Sequence, residues 1–117
     1  GVLGEHQAAP ILVDALRKLE YRGYDSSGIA TLSNGIVSEA KSEGRVDILE
    51  KNLAVKNMSG PIGIGHVRWA THGVPNTINA HPHSSESVSV VHNGIIENST
   101  LLKKHLIKDP ACAYFEK

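Results

Sequence analysis

The 117-residue sequence has no surplus of charge of either sign: twelve Lys and Arg balance twelve Asp and Glu. That balance argues against docking on nucleic acid or on an anionic membrane, both of which draw on a basic excess. Long apolar runs are missing as well; the longest covers a few residues, against the roughly 20 that cross a bilayer. No charged-then-apolar leader opens the chain, so no secretory signal is expected. Cysteine is nearly absent. Cys112 stands alone, cannot close an internal disulfide and fits a reducing cytoplasm. The sequence also shows no repeat, no low-complexity tract and no Walker-type phosphate loop. These absences narrow the class and name no activity.

What is present suffices for one domain with a core, since 40% of the residues are hydrophobic. Residues 1–4 read as the end of a buried strand entering a turn. Over residues 10–21 the apolar side chains Ile11, Leu12, Ala15, Leu16 and Leu19 recur at helical spacing. Pro10 suits the first turn of that helix, Arg17 and Lys18 complement its dipole, and Gly23 stops it. Asn34-Gly35 between residues 29–32 and 36–40 is a strong hairpin signal. Residues 45–54 read as a second helix and 61–68 as a strand whose glycines indicate close backbone packing. Residues 69–85 form a long loop, 88–92 a strand and 100–108 a short helix. About four or five strands and three helices in mixed order favour an α+β layered sheet over a doubly wound one.

Polar and histidine side chains crowd residues 65–98: Arg68, Trp69, Thr71, His72, His81, His83, His92, Asn93 and Asn98. Loops held by strands are where sites form. Asn93-Gly94 is either a plain turn or an oxyanion hole, in which an Asn amide and the next backbone N–H point at one developing charge. Arg68 is either a surface charge or a clamp for a substrate carboxylate. Thr71 and His72 are either loop filler or contacts to the same ligand. Four histidines between 72 and 92 raise the question of zinc, but their spacing fits no helical pair or finger, so no metal is expected. The run Tyr21-Arg22-Gly23-Tyr24-Asp25-Ser26-Ser27-Gly28 holds more functional side chains than a turn requires.

Leu19 to Gly28, Arg68-Trp69-Ala70-Thr71-His72-Gly73, Ala80-His81-Pro82-His83 and Val91 to Asn98 together resemble one family. It is the glutaminase domain of the glucosamine-6-phosphate synthases, class II glutamine amidotransferases, and the likeness runs from Gly1 to about Ile107. The resemblance implies an N-terminal-nucleophile hydrolase fold, a four-layer αββα sandwich, present here as its N-terminal half over residues 1–108, with 109–117 an unassigned tail. It implies that an amino-terminal Cys thiol attacks the amide of L-glutamine with its own α-amine as base. Asn93 and the Gly94 N–H would then form the oxyanion hole, and Arg68 would bind the substrate carboxylate. Thr71 and His72 would line a loop closing over glutamine, with Trp69 beside the route by which ammonia leaves. Released ammonia would go to fructose 6-phosphate in an isomerase domain that this sequence lacks. No cofactor is implied.

The family opens Cys-Gly-Ile-Val-Gly, and Gly1 aligns with the last of those glycines, so the nucleophile is absent and the chain as written is expected to be an inactive fragment. Cys112 lies in a segment that matches nothing in the family. Beyond Lys108 the family runs on to Ser-Glu-Thr-Asp-Thr-Glu, whose Asp binds the substrate amine; residues 109–117 read differently. The rival expectation is a non-catalytic binding or interaction module on the same scaffold. With half a sandwich missing, exposed sheet faces and edges lead us to expect a homo-oligomer.

Overall fold

The computed structural model of the chain describes residues 1–69 and 73–109. Four strands form one antiparallel sheet: β1 (Val2–Leu3), β2 (Ser26–Ser33), β3 (Ile36–Glu43) and β4 (Ile62–Arg68), in the order β1-β4-β2-β3. Helices α1 (Ala8–Leu19) and α2 (Val46–Lys56) lie on one face of the sheet. A two-stranded ribbon, β5 (His83–Ser84) with β6 (Ser89–Val90), and the helix α3 (Ser99–Lys108) follow. This is a mixed α/β unit, one helical layer on one main sheet.

Period-two alternation divides the sheet into two chemically different faces. In register, Ile29 stands between Gly65 and Ala40, and Ser27 between Val67 and Ser42. That side meets the helices, where Ala8, Leu12, Val13, Leu16, Val46 and Leu49 close the core with Ile29 and Ala40. Gly63 and Gly65 let α1 settle onto β4; a Cβ on Gly63 would come within 2.7 Å of Leu12. The opposite face presents Ser26, Arg68 and Glu43 in one row and Gly28, His66 and Lys41 in the next. It carries the polar chemistry.

Local sequence explains the ends of these elements. Asn34 and Gly35 both have positive φ, 51° and 76°, the pair of left-handed residues that a tight hairpin turn needs. The first turn of α2 donates a hydrogen bond to a distant side chain: the Val46 N–H donates to Glu20 Oε1 at 2.6 Å. A carboxylate there satisfies an orphan donor and complements the helix dipole. Arg17 bridges α1 to Asp47 and Glu50 of α2, but all three are exposed, so the bridges add little stability.

Three expectations are corrected. Residues 1–4 are not a buried strand: β1 is an edge, and Leu3 is 82% exposed. The strand expected over 88–92 shortens to Ser89–Val90, because only His83 and Ser84 stand opposite it. The 69–85 loop accordingly gives up two residues to β5. Asp109 caps α3, while the rest of the expected tail lies outside the described residues.

Candidate active site

On the polar face, a cavity of about 600 Å³ is lined by His66, Arg68, Trp69, Asn79, His81, His83, His92, Asn93, Gly94, Ile95, Ile96 and Ser99. A ligand the size of an amino acid fits such a volume. Arg68 ends β4, and its N–H and C=O positions are fixed by pairing with β2; its carbonyl also accepts the Asp25 N–H at 2.8 Å. The Arg68 side chain is only 9% exposed and donates from Nη1 to the Val74 carbonyl at 3.3 Å. Asn93 and Gly94 follow β6 and line the same cavity.

The loop between β4 and β5 is tied down on β3. Thr77 N–H donates to Glu43 Oε1 at 3.2 Å, Lys41 Nζ donates to the Ala80 carbonyl at 3.0 Å, and Ser84 Oγ bonds Glu39. All three β3 partners alternate along one strand face, which is how a period of two becomes a row of anchors. Within the loop, Asn76 accepts the Asn79 N–H at 2.8 Å and Asn79 Nδ2 donates to the Val74 carbonyl at 2.9 Å. The anchored loop sets His81 and His83 into the cavity wall.

His66, His81 and His83 form a contiguous row of rings, with centroids 4.5 Å apart at each step. His92 joins by donating its backbone N–H to His81 Nδ1 at 3.4 Å. The first pair is tilted by 40° and the second meets edge-on at 62°, and among the described residues no group of three His, Cys, Asp or Glu could hold a metal. Burial holds all three imidazoles toward the neutral form. His81 is pushed down from the ordinary 6.5 to about 4, first by burial and then by His66, His83, Arg68 and His92. His66 is lowered mainly by burial, partly opposed by the nearby Asn93 amide, and His83 by burial and Lys41.

A stability consequence follows with a definite sign. A histidine whose folded pKa is depressed contributes stability that is fully present above its unfolded pKa and is lost as the pH falls toward the folded value. The expected result is a thermal midpoint that falls between about pH 6.5 and pH 4, with a flatter fall in His81→Gln. Differential scanning calorimetry across that range checks it; an equal slope in His81→Gln would sink the assignment.

The structure therefore brings together Arg68, Trp69, Asn93 and Gly94, along with His81, His83 and His92. Thr71 and His72 lie outside the described residues. Asn98 precedes α3, is exposed and is not among the residues lining the cavity, although Ile96 and Ser99 on either side of it are. Three polar lining residues escaped the sequence reading, His66, Asn79 and Ser99. His66 was legible: it stands two residues before Arg68 in one strand, so both side chains share a face.

No family model matches the chain. A solved structure of the glutamine phosphoribosylpyrophosphate (PRPP) amidotransferase from B. subtilis, complexed with ADP and GMP, superposes with a TM-score of 0.76 at 28% identity, covering 91% of this chain and 24% of that one. The fold is thus part of an N-terminal-nucleophile amidotransferase fold, and the class is that of the glutamine amidotransferases. Among curated relatives, the glutamine–fructose-6-phosphate aminotransferases [isomerizing] of Mesorhizobium japonicum and Brucella abortus are 54% and 57% identical over 109 and 106 residues. That of Caldanaerobacter subterraneus is 54% identical over 111 residues. Over 91 to 93% of its length the chain is similar to the N-terminal part of these three aminotransferases, and it spans 18% of the length of each.

Proposed function

We propose that residues 1–108 form the first half of a glutaminase domain, whose cavity binds L-glutamine and presents its side-chain amide for hydrolysis. The observation that carries this reading is the convergence of Arg68 and Asn93-Gly94 on one cavity. An amino acid has one permanent anion at its head and, in acyl transfer, one transient anion at its tail. Arg68 suits the first through a forked, charge-assisted pair, and Asn93 with the Gly94 N–H suits the second. Trp69, 66% exposed at the cavity rim, would shield the reacting end from water. Thr71 and His72 would complete the closing loop.

The nucleophile would be the N-terminal cysteine of the family, which stands ahead of Gly1 in the resemblance. Its thiolate would attack the amide carbon, the C–N bond would break as the leaving nitrogen takes a proton and departs as ammonia, and water would hydrolyse the thioester to glutamate and free thiol. Ammonia would pass to fructose 6-phosphate in the longer protein, giving glucosamine 6-phosphate. The 117 residues alone would bind without turnover. Among the described residues no helix is long and apolar enough to cross a membrane. We place the activity in the cytoplasm, without nucleic-acid or membrane partners. Copies would associate through the sheet faces and edges that half a sandwich leaves exposed.

The test is a titration of the ¹⁵N-labelled 117-residue chain with L-glutamine. Amide shifts are expected to cluster at Arg68, Trp69, Asn93 and Gly94, with D-glutamine much weaker. An equal response to both enantiomers, or shifts scattered outside the cavity, would refute the assignment.

A further inference from the structure

None of the run Tyr21-Arg22-Gly23-Tyr24-Asp25-Ser26-Ser27-Gly28 lines the main cavity, yet it touches the backing of three of its walls. Asp25 N–H donates to the Arg68 carbonyl. Gly23 lies under the indole of Trp69, where a Cβ would come within 2.8 Å of Cδ2. Gly28 lies under the loop, where a Cβ would strike the His81 carbonyl oxygen and come within 3.1 Å of its carbonyl carbon. Each contact is backbone against a wall residue or its main chain.

Gly28 isolates the effect. Gly23 has φ 115°, a conformation that by itself demands glycine. Gly28 sits inside β2, paired with Lys41 on one side and His66 on the other, and has no such backbone need. In an ordinary strand, glycine weakens the element relative to alanine. Its presence here has a steric reason: residues on this face would otherwise hold the loop one side chain away from the sheet. We propose that Gly28 is a positioning residue for the site, a bare stretch of backbone that seats the loop bearing His81 and so sets the depth of the cavity. Lys41 completes the seat by donating to the Ala80 carbonyl beside it. The inference rests on the glutamine reading only for the identity of the ligand; the seating itself is a property of the loop.

The test uses Gly28→Ala in the 117-residue chain and needs no glutamine. Lifting the loop would carry His81 away from His66 and Arg68, which face it from β4, and admit water. The imidazole NMR titration midpoint of His81 is expected to rise from about 4 toward its ordinary value, with faster amide exchange over residues 76–84. Amides of α1, β2 and β3 should keep their protection. Gly4→Ala, where a Cβ meets nothing within 4 Å, should leave the His81 midpoint in place. An unmoved His81 midpoint in Gly28→Ala overturns the proposal. So does wholesale loss of the fold, because a seat for a surface loop is not a core position. Lys41→Met gives an independent reading: it removes the neighbouring anchor and should shift the same histidine in the same direction. Should glutamine fail to bind the parent chain, the glutamine reading falls while this result stands.

Discussion

Replacing Asn93 by alanine is expected to lower kcat for glutamine hydrolysis by about 10²–10³ in an amidotransferase that carries this segment behind an N-terminal cysteine. Asn93 lines the same cavity as Gly94 and Arg68. The substrate carbonyl carries little charge in the ground state and nearly a full negative charge in the tetrahedral intermediate. A donor placed there strengthens its hydrogen bond as the charge develops, so its loss falls on kcat and leaves KM nearly unchanged. The Gly94 N–H persists in the variant and keeps the reaction above background. Asn93→Asp should be worse than alanine, since a carboxylate would face the developing anion. Steady-state ammonia release by each variant decides it. A loss confined to KM would assign Asn93 to ground-state binding and remove it from the oxyanion hole.

How much of this was legible in the sequence depends on whether the signal was local. The α1 helix, the Asn34-Gly35 hairpin and β4 were, because their periodicities and turn residues act within one element. The last strand was not. Val88 to His92 has strand-forming residues, but a strand needs a partner, and the pairing partner is the two-residue β5. Leu3 illustrates the same limit, since apolar character does not tell an edge from a centre. The α3 helix has a readable apolar pattern and yet buries none of its described side chains, because burial depends on what packs against it.

The site divides in the same way. Arg68 and Asn93 were conspicuous as polar residues at strand ends. Their meeting in one cavity depends on the β3 side chains Glu39, Lys41 and Glu43 holding the intervening loop, and those anchors look like ordinary surface charges in the sequence. His66 shares a face with Arg68 by spacing, but nothing local marks that face as the cavity side of β4. The residues that face α1 and those that face the cavity are interleaved, and only the register separates them.

The second large effect is expected at Arg68. Alanine there should lower kcat/KM for glutamine by about 10²-fold, which corresponds to about 3 kcal/mol for a forked guanidinium–carboxylate pair shielded from water. The loss should appear mainly in KM, because the carboxylate keeps its charge throughout the reaction and binds ground and transition states alike. Arg68→Lys should recover only a small part, since a single ammonium cannot reproduce two parallel N–H donors. Arg68 also donates to the Val74 carbonyl, so its removal could act by loosening the loop instead of losing the clamp. A substrate analogue separates these causes. 4-Aminobutyramide keeps the reacting amide and the amine but lacks the carboxylate. If Arg68 is the clamp, the wild-type enzyme should already be slow on this analogue, and Arg68→Ala should slow it little further. An equal fold-loss on glutamine and on the analogue would show that Arg68 serves the loop and that the carboxylate is held elsewhere.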